Sequence, residues 1–226
     1  KSAMDELDTA VDAARGSLAD FTLHIGMFCM SQQLIHCVSN FLQANPMISF
    51  DICHLSGNLD RIDTNAYDLL LYPMDSIFRR YRGSLAYTEK IFLAVHHTSK
   101  LASAQKVSLS ELGNEKLIFI KYGEKEYDSA YRLYLSSAIE RKALNFCCSC
   151  ELQRLMISSN CGVGFVPEGS TNAYCADENI RLIPIADDRF TQDVFIGFKR
   201  EKHLSEHGRR LAAYVTEYFG LNDNAE

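Results

Sequence analysis

Apolar and polar positions in the first third of the chain alternate between a strand-like and a helix-like period. Continuous or alternating apolar runs of strand length cover residues 23–27, 49–55 and 67–72. Apolar residues at helical spacing fill the intervals, over residues 31–45 and, in a shorter stretch, 58–66. Strands that alternate with helices across short loops predict a parallel, doubly wound sheet.

The same alternation returns further along the chain. A strand is expected at 89–96, and Ser108 with Glu111 forms a capping-box pattern that opens a short helical turn. A strand at 117–121 precedes a helix that Asp128 caps and that extends through Ile139. The stretch from 144 to 169 then predicts a strand, a helix that begins at Ser149, and a second strand at 163–166. With a strand at 181–185, this predicts a second β-α-β-α-β unit.

A last strand at 193–198 and a helix at 205–219 indicate that the chain returns to complete its first unit. We therefore predict an α/β protein of two doubly wound lobes, joined by two crossing strands and enclosing a cleft. Residues 20–93 would form the first part of lobe I, 94–192 lobe II, and 193–226 the return to lobe I with the C-terminal helix. Residues 1–19 would hold the end of a helix that leads in from elsewhere.

Composition narrows the class of protein. The 226 residues are 47% apolar and 23% charged, which is ordinary for a globular chain, and no run is long enough to span a membrane. The net charge of −6, without a basic stripe, argues against direct nucleic-acid binding. Eight cysteines, most of them inside apolar segments, are more typical of reduced thiols in a cytoplasmic protein than of a secreted disulfide scaffold.

Ligands of open α/β sheets bind beyond the carboxyl ends of the strands, beside helix N-termini. That rule selects four loops, which begin after the strands that end near Met27, Tyr72, Ile120 and Cys147. Ser149 would cap its helix and could also offer its hydroxyl to a ligand. The residues that we expect to contact a ligand are Phe28, Cys29, Met30, Ser31, Gln32, Pro73, Met74, Lys121, Tyr122, Ser149, Cys150 and Val163.

Motifs for catalysis or cofactor binding are weak. Gly162-Val163-Gly164 lacks the third glycine of a dinucleotide fingerprint, and the chain contains neither a P-loop nor a nucleophile elbow. Cys147 and Cys150 form a single C-x-x-C without the second pair that a zinc site needs. Cys150 at a helix N-terminus would have a lowered thiol pKa, which leaves thiol-based redox sensing open beside inert, cleft-lining thiols. We expect no catalytic residue, no metal site and no cofactor.

An ordered set of short motifs resembles the effector-binding domain of LysR-type transcriptional regulators, from about Arg15 to Gly220. The motifs are Leu23-His24-Ile25-Gly26, Asn40-Phe41-Leu42 followed by Asn45-Pro46, Asp68-Leu69-Leu70-Leu71, the run 89–97 with Leu101-Ala102, the turn 107–112, and the stretch 149–167. No single motif decides the matter. Their order and spacing make the resemblance specific.

The resemblance implies a type 2 periplasmic-binding-protein-like fold with a small-molecule effector in the cleft between the lobes. It also implies a DNA-binding winged helix-turn-helix upstream, joined by a linker helix of which residues 1–16 would be the end. Such domains usually form antiparallel homodimers through the first helix and second strand of lobe I, here 31–45 and 49–55, and full-length members are often tetramers. The implied protein is a cytoplasmic regulator that does not associate with membranes.

Two departures from the family pattern bear on the effector. Carboxylate-binding members commonly have Ser or Thr after the first strand, whereas this chain has Phe28-Cys29-Met30, which implies a more apolar effector or a site partly filled by side chains. The peroxide-sensing branch has a reactive cysteine after the strand at 117–121, and residues 122–127 contain none. A transporter's solute-binding protein and an enzyme on the same scaffold remain the alternatives; the first would require export, and the second lacks an acid–base pair.

Overall fold

The computed structural model of the chain describes residues 21–29, 31–55, 63–73, 81–121, 128–137, 144–199 and 204–222. The strands in these ranges are β1 (Phe21–Met27), β2 (Ile48–His54), β3 (Leu69–Pro73), β4 (Tyr81–His96), β5 (Leu117–Ile120), β6 (Leu144–Cys147), β7 (Val163–Pro167), β8 (Ile180–Pro184) and β9 (Thr191–Lys199). The α-helices are α1 (Gln32–Ala44), α2 (Ser129–Ser136), α3 (Cys150–Ser158), α4 (Thr171–Cys175) and α5 (Glu206–Asn222). Four 3-10 segments cover Thr64–Ala66, Lys100–Ser103, Leu109–Asn114 and Glu168–Ser170.

The described strands form two sheet regions that share β4. In lobe I the order is β2-β1-β3-β9-β4, with β1 parallel to β2 and β3 and with β9 antiparallel to its neighbours. In lobe II the order is β4-β7-β5-β6, where β5 is parallel to β6 and β7, and β8 pairs with β4. Because β4 pairs with β9 up to Lys90 and with β7 from Ile91 onward, it passes from one lobe to the other. This arrangement confirms the predicted two-lobed α/β fold.

Strand β3 shows why the sheet needs cover on both faces. Successive strand residues point to opposite faces. Leu69 and Leu71 accordingly pack in the main core of lobe I, with α1 and α5, whereas Leu70 and Tyr72 pack in a smaller core on the other face. All four side chains are buried. A continuous apolar run is therefore what a strand covered on both sides requires.

The predicted cap at Ser149 is confirmed, and Ser31 caps α1 in the same way. The Ser31 hydroxyl accepts a hydrogen bond from the Leu34 amide at 3.4 Å, and the Ser149 hydroxyl accepts one from Leu152 at 3.2 Å. These side chains satisfy amides that the first turn of a helix leaves without an intrahelical partner. At the other end of α3, Asn160 has a φ of 57°, which is the left-handed turn expected there. The described helices include none that is both long and apolar enough to cross a membrane.

Three features differ from the sequence-based expectations. Strand β4 begins at Tyr81 rather than at residue 89, because its first half pairs with the remote strand β9. Strand β8 does not extend the parallel set of lobe II but pairs antiparallel with β4. Helix α4 was not predicted. The expected helix at 1–16, most of the one at 58–66 and the last residues of the helix through Ile139 lie outside the described residues.

Candidate ligand-binding site

A cavity of about 740 Å³ lies between the two lobes, within the usual size range of small-molecule sites. Lobe I contributes the end of β1, the start of α1 and the ends of β2 and β3. Lobe II contributes the starts of α2 and α3 and the segment that follows β7. The lining residues are Phe28, Cys29, Ser31, Gln32, Ile35, His54, Leu55, Pro73, Glu89, Ile91, Ile120, Asp128, Ala130, Ser149, Cys150, Glu151, Phe165, Pro167, Gly169, Ser170, Asn172, Ala173, Tyr174 and Gln192.

Most of the sequence-predicted site residues come together here. Those that line the cavity are Phe28, Cys29, Ser31, Gln32, Pro73, Ser149 and Cys150. Met30, Met74 and Tyr122 lie outside the described residues. Ser31 and Ser149 cap α1 and α3, which belong to opposite lobes, and both serines line the same cavity.

Lys121 and Val163 are not among the residues that line the cavity. The Lys121 amide continues the β5–β6 pairing by donating a hydrogen bond to the Cys147 carbonyl at 2.8 Å. Val163 begins β7 and pairs with Leu117 in the core of lobe II. The carboxyl end of β7, at Pro167, is the end that reaches the cavity, so the first residue of that strand is remote from it.

The most unusual group in the cavity is Glu89, whose exposed fraction is only 5%. It sits where β4 passes between the lobes and pairs in register with Gln192 of β9. One carboxylate oxygen accepts the Gly169 amide at 2.7 Å, and the other accepts the Gln192 side-chain amide at 2.9 Å. Burial nevertheless raises the pKa of Glu89 to about 7, because desolvation outweighs these hydrogen bonds.

A second acid in the lining, the half-buried Asp128, lies at the N-terminus of α2. Its carboxylate accepts the Tyr131 amide at 2.7 Å as a helix cap and the Ile120 amide at 2.9 Å, which ties the helix to the end of β5. Burial raises the pKa of Asp128 to about 6 despite the two hydrogen bonds. The pKa of His54, on the opposite wall, is lowered by desolvation.

A buried polar network supports the lobe II wall. Gln153 of α3, with an exposed fraction of 1%, donates to the Ile118 carbonyl at 2.9 Å. The Tyr174 hydroxyl donates to the Gln153 side-chain oxygen at 2.7 Å and also lies 3.1 Å from the Cys150 carbonyl. The network joins α3, α4 and β5. Gly164 leaves room for it, because a Cβ there would lie 3.0 Å from the Gln153 side chain.

Polar contacts also connect the two lobes across the cavity. The Asn172 side-chain amide of α4 donates a hydrogen bond to the Gln32 side-chain oxygen at the start of α1. Glu89, through Gly169, ties the crossing strand to the segment after β7. Any change in the separation of the lobes must therefore break or rearrange the Gln32–Asn172 contact.

The model of one protein family, described as the LysR substrate binding domain, matches residues 18–220. The chain belongs to this family. It is therefore the effector-sensing regulatory domain of a LysR-type transcriptional regulator, as the ordered motifs indicated.

Solved structures show the same fold at low sequence identity. The effector-binding domain of QuiR in complex with shikimate is 12% identical, with a TM-score of 0.76 over 90% of this chain and 99% of that one. The BenM effector-binding domain with its effector benzoate is 14% identical, with a TM-score of 0.72 over 93% and 96% of the two chains. Full-length CbnR bound to its target DNA is 15% identical, with a TM-score of 0.73 over 96% and 76%. No protein with a curated description matches the chain.

The cysteines of this LysR-type domain do not support the expectation of a reactive thiol at Cys150. All eight cysteines are free, and the described residues contain no cluster of His, Cys, Asp and Glu suited to a metal. Burial raises the pKa of Cys150, so the expectation that the helix N-terminus lowers it is wrong. Burial likewise raises the pKa of Cys147 to about 11. Desolvation thus overrides the helix dipole at Cys150, the thiol that lies in the first turn of α3.

Sequence reasoning missed Glu89, Gln192 and the segment from Gly169 to Tyr174. Two signals in the chain could have found them. Glu89 is a carboxylate at the head of an otherwise apolar strand, where a polar side chain needs an explanation. Gly169-Ser170-Thr171-Asn172 is a polar cluster directly after a buried parallel strand, so the rule that selected four loops applies to a fifth.

Proposed function

We propose that this domain binds a small effector in the cavity between its lobes and thereby controls an upstream DNA-binding domain. The observation that carries the proposal is that both lobes line one cavity, each with a capped helix N-terminus, at Ser31 and Ser149. Effector contacts to both walls would favour one separation of the lobes over another, which is a population shift between two arrangements.

The walls favour an effector with a substantial apolar body. Phe28, Ile35 and Leu55 from lobe I face Ile120 and Phe165 from lobe II. The lining also includes the hydroxyls of Ser31, Ser149 and Ser170 and the side-chain amides of Gln32 and Asn172, which can orient a polar substituent. Cys29 and Cys150 add soft, polarisable surface and supply no reactive thiolate, because burial raises the pKa of both.

We further propose that lobe I forms the homodimer interface. Met47 and Ile52, with exposed fractions of 71% and 37%, lie in β2 and in the turn that joins it to α1. β2 is also the edge strand of its sheet, so its outer side lacks a neighbour among the described strands. Dimers of this kind would assemble into a tetramer at full length. We place the regulator in the cytoplasm, where its eight free thiols would remain reduced.

Blocking the cavity tests the effector proposal. Ala173 lines the cavity from α4, and Ala176, at the end of the same helix, does not. We expect a thermal-shift screen of metabolites to give stabilising compounds for the native domain and for Ala176→Trp, but not for Ala173→Trp. The matched variant controls for the general effect of a large side chain on α4. Equal shifts in both variants would place the ligand elsewhere and refute the proposal.

A further inference from the structure

The ionisable side chains around the cavity are predominantly acidic. Glu89, Asp128 and Glu151 all line it, and the described lining residues include neither lysine nor arginine. His54 is the one lining residue with a basic ring among those described, and burial lowers its pKa. Two of these carboxylates have a described cation nearby that does not itself line the cavity: Arg154 pairs with Glu151 at 2.9 Å, and Arg132 lowers the pKa of Asp128. Glu89 has no such neighbour among the described ion pairs, so it is the carboxylate that an entering anion would meet without a positive charge to offset it.

The starts of α2 and α3 in lobe II do not restore a preference for anions, although α1 of lobe I begins without an acidic residue in its first turn. The start of a helix attracts negative charge, but a carboxylate of the chain itself already occupies that position in lobe II. Asp128 caps α2 through the Tyr131 amide, and Glu151 lies in the first turn of α3. Both lobe II helix starts that face the cavity therefore have internal acidic partners.

Glu89 still has room to accept a further donor. Each of its oxygens accepts one hydrogen bond, from Gly169 and from Gln192, whereas an ionised carboxylate can accept about four. No ion pair with Glu89 occurs among the described residues. Its raised pKa is what a buried carboxylate without a positive partner shows, and a bound cation would lower that pKa.

We propose that the effector of this domain is a cation, with an ammonium or amidinium group that donates to Glu89 and an apolar body that packs against Phe28, Ile91 and Phe165. The inference rests on the proposed function, since it assigns a ligand class to the same cavity. It sets this domain apart from the solved domains that hold benzoate or shikimate, both of which are carboxylic acids. The Glu89 carboxylate, at the point where β4 crosses between the lobes, then links the ligand's charge directly to the crossing strand.

A charge series on one scaffold tests the ligand class. Isothermal titration calorimetry on the 226-residue chain would compare benzylamine, benzyl alcohol and benzoate, which share a ring and differ in the charge of one substituent. We expect benzylamine to bind at least about tenfold more tightly than benzoate, with the alcohol in between. Glu89→Gln should weaken benzylamine by about tenfold or more while leaving benzyl alcohol little changed, because only the charge-assisted hydrogen bond is lost.

The possible outcomes distinguish a wrong ligand class from a wrong binding site. If benzoate binds more tightly than benzylamine and Ala173→Trp abolishes its binding, the cavity stands and the cationic class is overturned. If benzylamine binds but Glu89→Gln leaves its affinity unchanged, the role of Glu89 is overturned. If benzylamine binding survives Ala173→Trp, the cavity assignment fails together with the inference. If benzylamine does not bind even at millimolar concentration, the cationic class is also overturned. The comparison of the three ligands uses the native domain, so it does not depend on whether any variant folds.

Discussion

The substitution Glu89→Gln should make the stability of the domain less dependent on pH. The variant keeps the shape of the side chain, and its oxygen can still accept the Gly169 amide. The Gln192 amide can turn to present its oxygen to the new side-chain NH₂, so both native contacts have counterparts. The substitution therefore mainly removes a buried group that gains or loses a proton as the pH changes.

The size of the effect follows from the Glu89 pKa, which burial raises from 4.5 to about 7. A carboxyl that holds its proton more tightly in the folded state favours folding as the pH falls. Its charge therefore costs nothing well below pH 4.5, and the cost grows until the pH passes about 7. At about 1.4 kcal/mol per pKa unit, the full cost is roughly 3 kcal/mol, most of which develops between about pH 5 and about pH 8.

Urea unfolding of the native domain and of Glu89→Gln at about pH 5 and about pH 8 measures this cost. The stability of the variant relative to the native protein should rise by about 2–3 kcal/mol across that interval. Glu111→Gln is the matched control. Hydrogen bonds from Ser108 lower the Glu111 pKa below its ordinary value of 4.5, so the stability from that group is lost only at a pH below about 4.5. The difference between Glu111→Gln and the native domain should therefore stay nearly constant across the measured interval. A pH-independent difference for Glu89→Gln would refute the reasoning.

Three further substitutions test packing, capping and assembly. Gly162→Ala should cost about 1–3 kcal/mol by chemical denaturation, because its Cβ would lie 2.3 Å from the Lys116 carbonyl oxygen, while Gly113→Ala, with open space around it, should cost far less. Asp128→Ala should cost about 1–3 kcal/mol in the same assay, since it removes two hydrogen bonds to backbone amides; an unchanged unfolding midpoint would contradict that role. Ile52→Glu should shift the domain toward monomer in sedimentation equilibrium, and an unchanged dimer would move the interface away from β2.

Features set by neighbouring residues were predictable from the sequence. The caps at Ser31, Asp128 and Ser149 depend on a side chain and an amide three residues apart, so residue type and local spacing suffice. The continuous apolar run in β3 likewise predicts, without knowledge of its neighbours, that the strand is buried on both faces. The four loops at strand ends follow from the α/β alternation, and seven of the expected site residues line one cavity.

Features that depend on remote pairing were not predictable. The polar and apolar residues of Tyr81 to Thr88 form a strand only because β9, more than a hundred residues later, pairs with them. Glu89 and Gln192 meet for the same reason, so the sequence does not show that these two side chains pair. The pKa of the Cys150 thiol depends on how deeply the side chain is buried, and its position at a helix N-terminus does not predict that burial.

The central claim is that the space between the lobes is the effector site, and an amide NMR titration tests it most directly. The compound with the largest thermal shift would be added to the isotope-labelled domain. We predict that the largest shift changes fall on both walls, at the amides of Ser31 and Gln32 in lobe I and of Ser149 and Gly169 in lobe II. Changes confined to one lobe, or centred on the outer surface of α5, would contradict the account.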